Sequence, residues 1–222
     1  DFHSIALSEN GILFSWGGGG ANFNKGQCGH GTTENIRSPK PIEFFKNKPV
    51  RDFACGGYHT VAICENRELY SWGSGNFGEL GTGVFGDSST PKRIQIGRQM
   101  IIQIACGGHH TVLLTSEGKV LTCGNNNFGQ TGHKSKQNII VPTRVYNISN
   151  KFIKQIACGW NHTLAYVEPY YVYSTGLSKY GELGLGDLEM RKGFRLIEGL
   201  SGKNVKKIFG GGYHSWFLMD AG

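Results

Sequence analysis

One eight-residue string recurs along this chain at a nearly fixed spacing, and it limits the possible folds more than any other feature. It reads ACGGYHTV at 54–61, ACGGHHTV at 105–112, ACGWNHTL at 157–164 and FGGGYHSW at 209–216, with a truncated copy at Phe2-His3-Ser4-Ile5. The recurring histidines, His3, His59, His110, His162 and His214, lie 56, 51, 52 and 52 residues apart. A second signature follows each of the first four copies: FSWG at 14–17, YSWG at 70–73, LTCG at 121–124 and YSTG at 173–176. A third is a Gly-x-x-Gly step at 26–29, 78–81, 129–132 and 181–184, followed ten residues later by Pro39, Pro91, Pro142 or Phe194. Three signatures in fixed order through four periods define an array of one supersecondary unit.

Each unit reads as β-structure. After the His-Thr pair comes a short apolar run (60–64, 111–115), then a polar turn, then a second run, Leu69-Tyr70-Ser71-Trp72 or Val120-Leu121-Thr122-Cys123. Runs this short, rich in β-formers and without a 3.6-residue period, predict the two strands of a hairpin. Two further strands are expected at 93–96 and 101–106, with the proline at the mouth of the third strand, where a missing N–H is tolerated. Four short strands per period are the mark of a β-propeller blade. The expected repeats run over 3–58, 59–109, 110–161 and 162–213, with the start of a further copy at 214–222. All belong to a single partial propeller over 1–222.

Composition removes several alternatives. Glycine accounts for 35 of 222 residues without a Gly-X-Y period, which excludes collagen. No stretch approaches the roughly 18 consecutive apolar residues of a membrane helix, so membrane insertion is not expected. The chain opens at Asp1 with no basic-then-apolar leader, and reads as a fragment or processed piece. The six cysteines contain no C-x-x-C pair, and three of them hold one repeat position, which makes them poor partners for each other. They are expected to be reduced core thiols of an intracellular protein, cytoplasmic or nuclear. The net charge of +7 suits an acidic protein surface, nucleic acid or anionic lipid.

The GG-x-H-[TS] step, the [YF]-S-W-G strand and the G-[QE]-x-G-x-G loop together resemble the repeat of the regulator of chromosome condensation family. That family comprises the guanine-nucleotide exchange factor for Ran and its relatives. The resemblance covers essentially the whole chain and implies an all-β propeller, about four blades of a seven-bladed ring. The remaining blades would then come from the parent chain or from another chain. The function expected is a non-catalytic module for protein–protein interaction or scaffolding. The resemblance makes a guanine-nucleotide exchange factor for a small GTPase the principal alternative, and chromatin or nucleic-acid binding through a basic loop arc is a third class. The exchange factors of the family act partly through an inserted wedge. Here the only excess is about four residues around Gly17–Gly26, so exchange machinery is expected outside this chain.

Candidate chemistry is sparse. Histidines that recur once per period are expected to bond a neighbouring backbone and pack beside the Gly-Gly turn, making His59, His110, His162 and His214 structural positions together with Gly73, Gly124 and Gly176. No metal and no cofactor are predicted, since the ligand spacings of metal sites are missing. Nor is there a G-x-S-x-G elbow or the Lys-Ser/Thr of a P-loop, so no enzyme activity is expected. The better lead is basic: Arg37, Lys40, Lys92, Arg93, Lys134, Lys136, Arg144, Arg191, Lys192 and Arg195 all follow a Gly-x-x-Gly step. Equivalent loops share one side of a propeller, so these charges are expected to form an arc facing a protein partner such as a GTPase, chromatin or a cytoskeletal protein. DNA is a less favoured partner. Phe77, Phe85, Phe128 and Tyr180, in the glycine loops, are candidate anchors.

Overall fold

A short apolar run closed by a tight turn pairs first with its own neighbour, and the sheets follow from that. The computed structural model describes residues 2–220; Asp1 and the last two residues of the 214–222 copy lie outside the described residues. Strands β1 (His3–Leu7), β2 (Leu13–Gly17) and β3 (Ile36–Pro41) form a three-stranded sheet. Three four-stranded sheets follow. They contain β4 (Val50–Cys55), β5 (His59–Cys64), β6 (Leu69–Gly73) and β7 (Ser88–Arg93); β8 (Ile101–Cys106), β9 (His110–Thr115), β10 (Val120–Gly124) and β11 (Ile139–Arg144); and β12 (Gln155–Cys158), β13 (His162–Val167), β14 (Tyr171–Gly176) and β15 (Arg191–Leu196). Strands β16 (Val205–Gly210) and β17 (Ser215–Met219) form a two-stranded sheet.

Every pairing is antiparallel between sequence neighbours. The first strands β4, β8, β12 and β16 pack against one another, which places them innermost around an axis and leaves β3, β7, β11 and β15 outermost. This is the architecture of a partial β-propeller. Sheet boundaries are offset from the sequence period by one strand, because each ACGG string is the end of an inner strand and each His opens the next strand. His59, His110 and His162 pair with Gly73, Gly124 and Gly176. The core consists of layers between adjacent sheets: Leu13, Phe45 and Trp72 in the first, Val61, Leu113 and Leu121 in the second, Leu114, Ile156 and Phe194 in the third.

Two expectations need correction. The outer strand of the second sheet is Ser88–Arg93 rather than 93–96, so Pro91 sits inside the strand. The ladder shifts between the Ser71–Lys92 and Gly73–Ser88 pairs, and Pro91 falls in that bulge on an edge strand, where its missing donor costs no ladder bond. The cysteines also divide: Cys28, Cys64 and Cys123 are buried, whereas Cys55, Cys106 and Cys158 line the axial channel beside the Gly-Gly turns. Burial pushes the Cys28 and Cys64 thiols up to about 11.

Candidate functional site

The repeat signatures meet at the joints between sheets. Nε2 of His3, His59 and His110 lies 2.9 Å from the hydroxyl of Thr60, Thr111 and Thr163 in the following sheet, and Nε2 of His162 lies 3.0 Å from the Ser215 hydroxyl. Those hydroxyls donate back to the carbonyls of Gln27, Glu79, Gln130 and Glu182 in the Gly-x-x-Gly steps of the preceding sheet. Since each hydroxyl already donates, the imidazole N–H is the donor to it. The expectation of a neighbouring backbone as partner is therefore corrected: the histidine holds the next sheet. Packing beside the Gly-Gly turn is seen, since a Cβ at Gly56, Gly107 or Gly159 would strike the His59, His110 or His162 ring.

Desolvation dominates the titration of these rings. It lowers His3 and His162 to about 4, and His59 and His110 to about 3. The fold therefore holds neutral imidazoles. The serine or threonine of the second signature ties the loop within each sheet: Ser15, Ser71, Thr122 and Ser174 donate to the carbonyls of Cys28, Leu80, Thr131 and Leu183 at 2.6–2.8 Å. The next position reaches across the joint. The Trp72 indole donates to Gln27, the Cys123 thiol to Glu79, and the Thr175 hydroxyl lies 2.9 Å from the Gly129 carbonyl.

The face carrying the Gly-Gly turns bears a run of aromatic rings. Trp160 replaces the second glycine of its turn and lies over Gly57 and Gly108 at the channel mouth. His109 stacks on Tyr58 at 5.1 Å, touches Phe77 at 4.8 Å and reaches the buried Glu79 carboxylate at 3.2 Å. The rings of Phe2 and Phe23 continue the stack, Phe23 coming from a four-residue helix α1 (Gly20–Phe23) built from the excess residues of the first unit. Of the candidate anchors, Phe77 and Phe128 are half-buried, while Phe85 and Tyr180 are exposed.

The ten basic residues do not gather at loop tips on one side. Arg37 and Lys40 lie on β3, Lys92 and Arg93 on β7, Arg144 on β11, and Arg191, Lys192 and Arg195 on β15. These are outermost strands, so the charges form a rim around the circumference; only Lys134 and Lys136 stay in a loop. Arg93 is paired with Glu68 at 3.1 Å, and Arg191 with Asp187 and Glu189. Sequence reasoning missed the joint residues Thr60, Thr111 and Thr163 and the aromatic run, although the threonines stand in the repeated string itself. Among the described residues no three His, Cys, Asp or Glu side chains converge as metal ligands, and no helix is long and apolar enough to cross a membrane.

A family model described as the RCC1-like domain matches residues 1–222. The human E3 ubiquitin-protein ligase HERC2 is 35% identical over 99% of this chain, and the Arabidopsis thaliana ultraviolet-B receptor UVR8 is 33% identical over 99%. The chain spans 4% of the first relative and 50% of the second. Among solved structures, Prp20p from Saccharomyces cerevisiae superimposes with a TM-score of 0.85 at 22% identity, covering 100% of this chain and 55% of that one.

Proposed function

This chain belongs to the RCC1-like domain family, and on that premise we propose that it is a non-catalytic propeller module through which a larger protein holds a protein partner. The observation that carries this reading is how the fold uses its repeated polar groups. His3, His59, His110 and His162, their hydroxyl partners and the Gln/Glu positions are committed to joints between sheets. What faces solvent is a set of loop aromatics and rim cations, which suits recognition. Relatives named as a ligase and as a photoreceptor carry this same unit as a small or moderate share of their length, as expected of a platform that serves different wholes. The repeats over 3–58, 59–109, 110–161 and 162–213 are units of one propeller whose remaining blades come from the parent chain or another chain.

A second reading is guanine-nucleotide exchange on a small GTPase. It is favoured by the likeness to Prp20p, whose binding properties to Gsp1p and histones are described. The complete parent propeller, mixed with a panel of small GTPases loaded with fluorescent GDP, separates the two. The module reading expects no accelerated release on any member; release faster by orders of magnitude on one of them promotes exchange. Binding to a DNA oligonucleotide that collapses with added salt would instead promote a nucleic-acid role for the rim.

A further inference from the structure

We propose that the face opposite the Gly-Gly turns, between the second and third sheets, binds an acidic peptide segment of a partner protein through Arg67, Arg98, Lys119 and Arg144. The proposal rests on the interaction-module reading and gives that module a site. Two clefts of about 240 Å³ each lie side by side there and share Arg98, Gln99 and Met100. Arg67, Glu68, Arg93 and the segment 94–97 are among the residues that line the first cleft; Thr115, Ser116, Glu117, Lys119 and Arg144 complete the second. Glu68 is already engaged by Arg93 at 3.1 Å, Asn66 at 2.8 Å and the Tyr70 hydroxyl at 2.9 Å. Arg67 and Arg98 have no ion-pair partner among the described residues.

Two observations show that these cations are more than solvated surface. Arg67 adopts φ 69°, the only positive φ outside glycine among the described residues. The same turn position is Gly11 (φ 81°) in the first sheet and Gly118 (φ 68°) in the third. A side chain in this conformation is strained, yet here an arginine occupies it and lines the cleft. Arg144 supplies the second observation: it lines the second cleft with its Nε withdrawn from solvent, so its side chain is held rather than freely solvated. A carboxylate meets a guanidinium fork with two parallel bonds. Paired small clefts suit a peptide better than a duplex. An extended chain places alternate side chains on one face, about 6.6 Å apart, so two acidic residues can enter neighbouring clefts.

Fluorescence anisotropy with a labelled decapeptide of alternating Glu and Ser, against the same peptide with Gln for Glu, tests this on the complete propeller. The acidic peptide is expected to bind in preference to the Gln peptide, and Arg67→Gly and Arg98→Ala are each expected to weaken it about tenfold. Arg67→Gly relieves the strained turn, so its melting midpoint should match or exceed the parent value, which separates lost binding from lost folding. Equal binding of the Gln peptide, unchanged affinity in both variants, or preferential binding of a DNA oligonucleotide that both variants weaken would overturn the proposal. The GTPase assay does not depend on these clefts, so a negative peptide result removes this site while the module reading is decided separately.

Discussion

Strands β9 and β17 carry the same signature and end in opposite environments. All six residues of β9 are buried. In β17 only Ser215 and Phe217 are half-buried, while Trp216, at the place of Val112, is 64% exposed. His110 is fully buried and bonded to Thr163, whereas His214 is exposed and rests edge-on against Trp216 at 5.7 Å. The difference lies in the neighbours. The β8–β11 sheet contributes to core layers on both of its sides, and the β16–β17 sheet contributes to one. Burial of the repeated motif is thus a property of the joint between two sheets, as stacked-unit architectures require.

Acid attacks the joints, the one from His162 to Ser215 included, and it should give the largest effect. The folded chain keeps His3, His59, His110 and His162 neutral with values of about 3–4, whereas an unfolded histidine titrates near 6.5. Stability is therefore fully present above pH 6.5 and declines as pH falls toward the folded values. Each ring removes about 1.4 kcal/mol per pH unit in that window, so four rings remove several kcal/mol on the way to pH 5. Urea unfolding at a series of pH values measures the slope. His110→Gln should lower it by one proton; a stability unchanged between pH 7 and 5 would remove the neutral-joint account.

Glycine substitutions at equivalent turns divide the two regions next. A Cβ at Gly108 meets the Trp160 ring of the next sheet at 2.8 Å, while a Cβ at the equivalent Gly212 meets nothing within 4 Å. Gly108→Val is expected to cost about 2 kcal/mol, and Gly212→Val no more than about 0.5 kcal/mol. Equal costs in chemical denaturation would mean that the turns, rather than the joints, govern stability. His110→Ala should then cost about 2 kcal/mol through its cavity and its lost bond to Thr163, with His214→Ala close to neutral. A comparable loss at His214 would contradict the comparison.

Much of this organisation was legible in the residues. The repeated strings fixed the hairpins, since β5 and β6 cover the apolar runs at 60–64 and 69–72. What stayed hidden was who touches whom across sheets. His59 and Thr60 are adjacent in sequence, yet His59 bonds Thr111 and Thr60 is bonded by His3. A period reveals equivalence between units and leaves the direction of their contacts open. The placement of Pro91 was obscured for a related reason, because an edge strand with a bulge accepts a proline that a sequence rule puts at the strand mouth. The basic residues were visible as a group, but their strand rather than loop location depended on where β7, β11 and β15 begin. Arg67 gave no signal of its own, because its turn conformation shows only beside Gly11 and Gly118.

The smallest effect concerns the column Trp72, Cys123 and Thr175, which sequence alone presents as drift. Each member still offers a donor to the preceding sheet, whether indole N–H, thiol or hydroxyl. The volume given up from Trp72 to Thr175 is recovered from the outer strand: a Cβ at Gly29 would meet Trp72, whereas one at the equivalent Gly132 would meet Phe194. Thr175→Val keeps the shape and removes only the donor, which lies 2.9 Å from both the Gly129 carbonyl and the Arg191 carbonyl of its own sheet. The expected cost is about 1 kcal/mol, read as a shift of the denaturation midpoint with an unchanged slope. A neutral result would make the column a matter of volume alone, filled by Trp72 in one joint and by Phe194 in another. A loss near the expected size would show that the column contributes a polar tie as well as volume, whichever side chain supplies the donor.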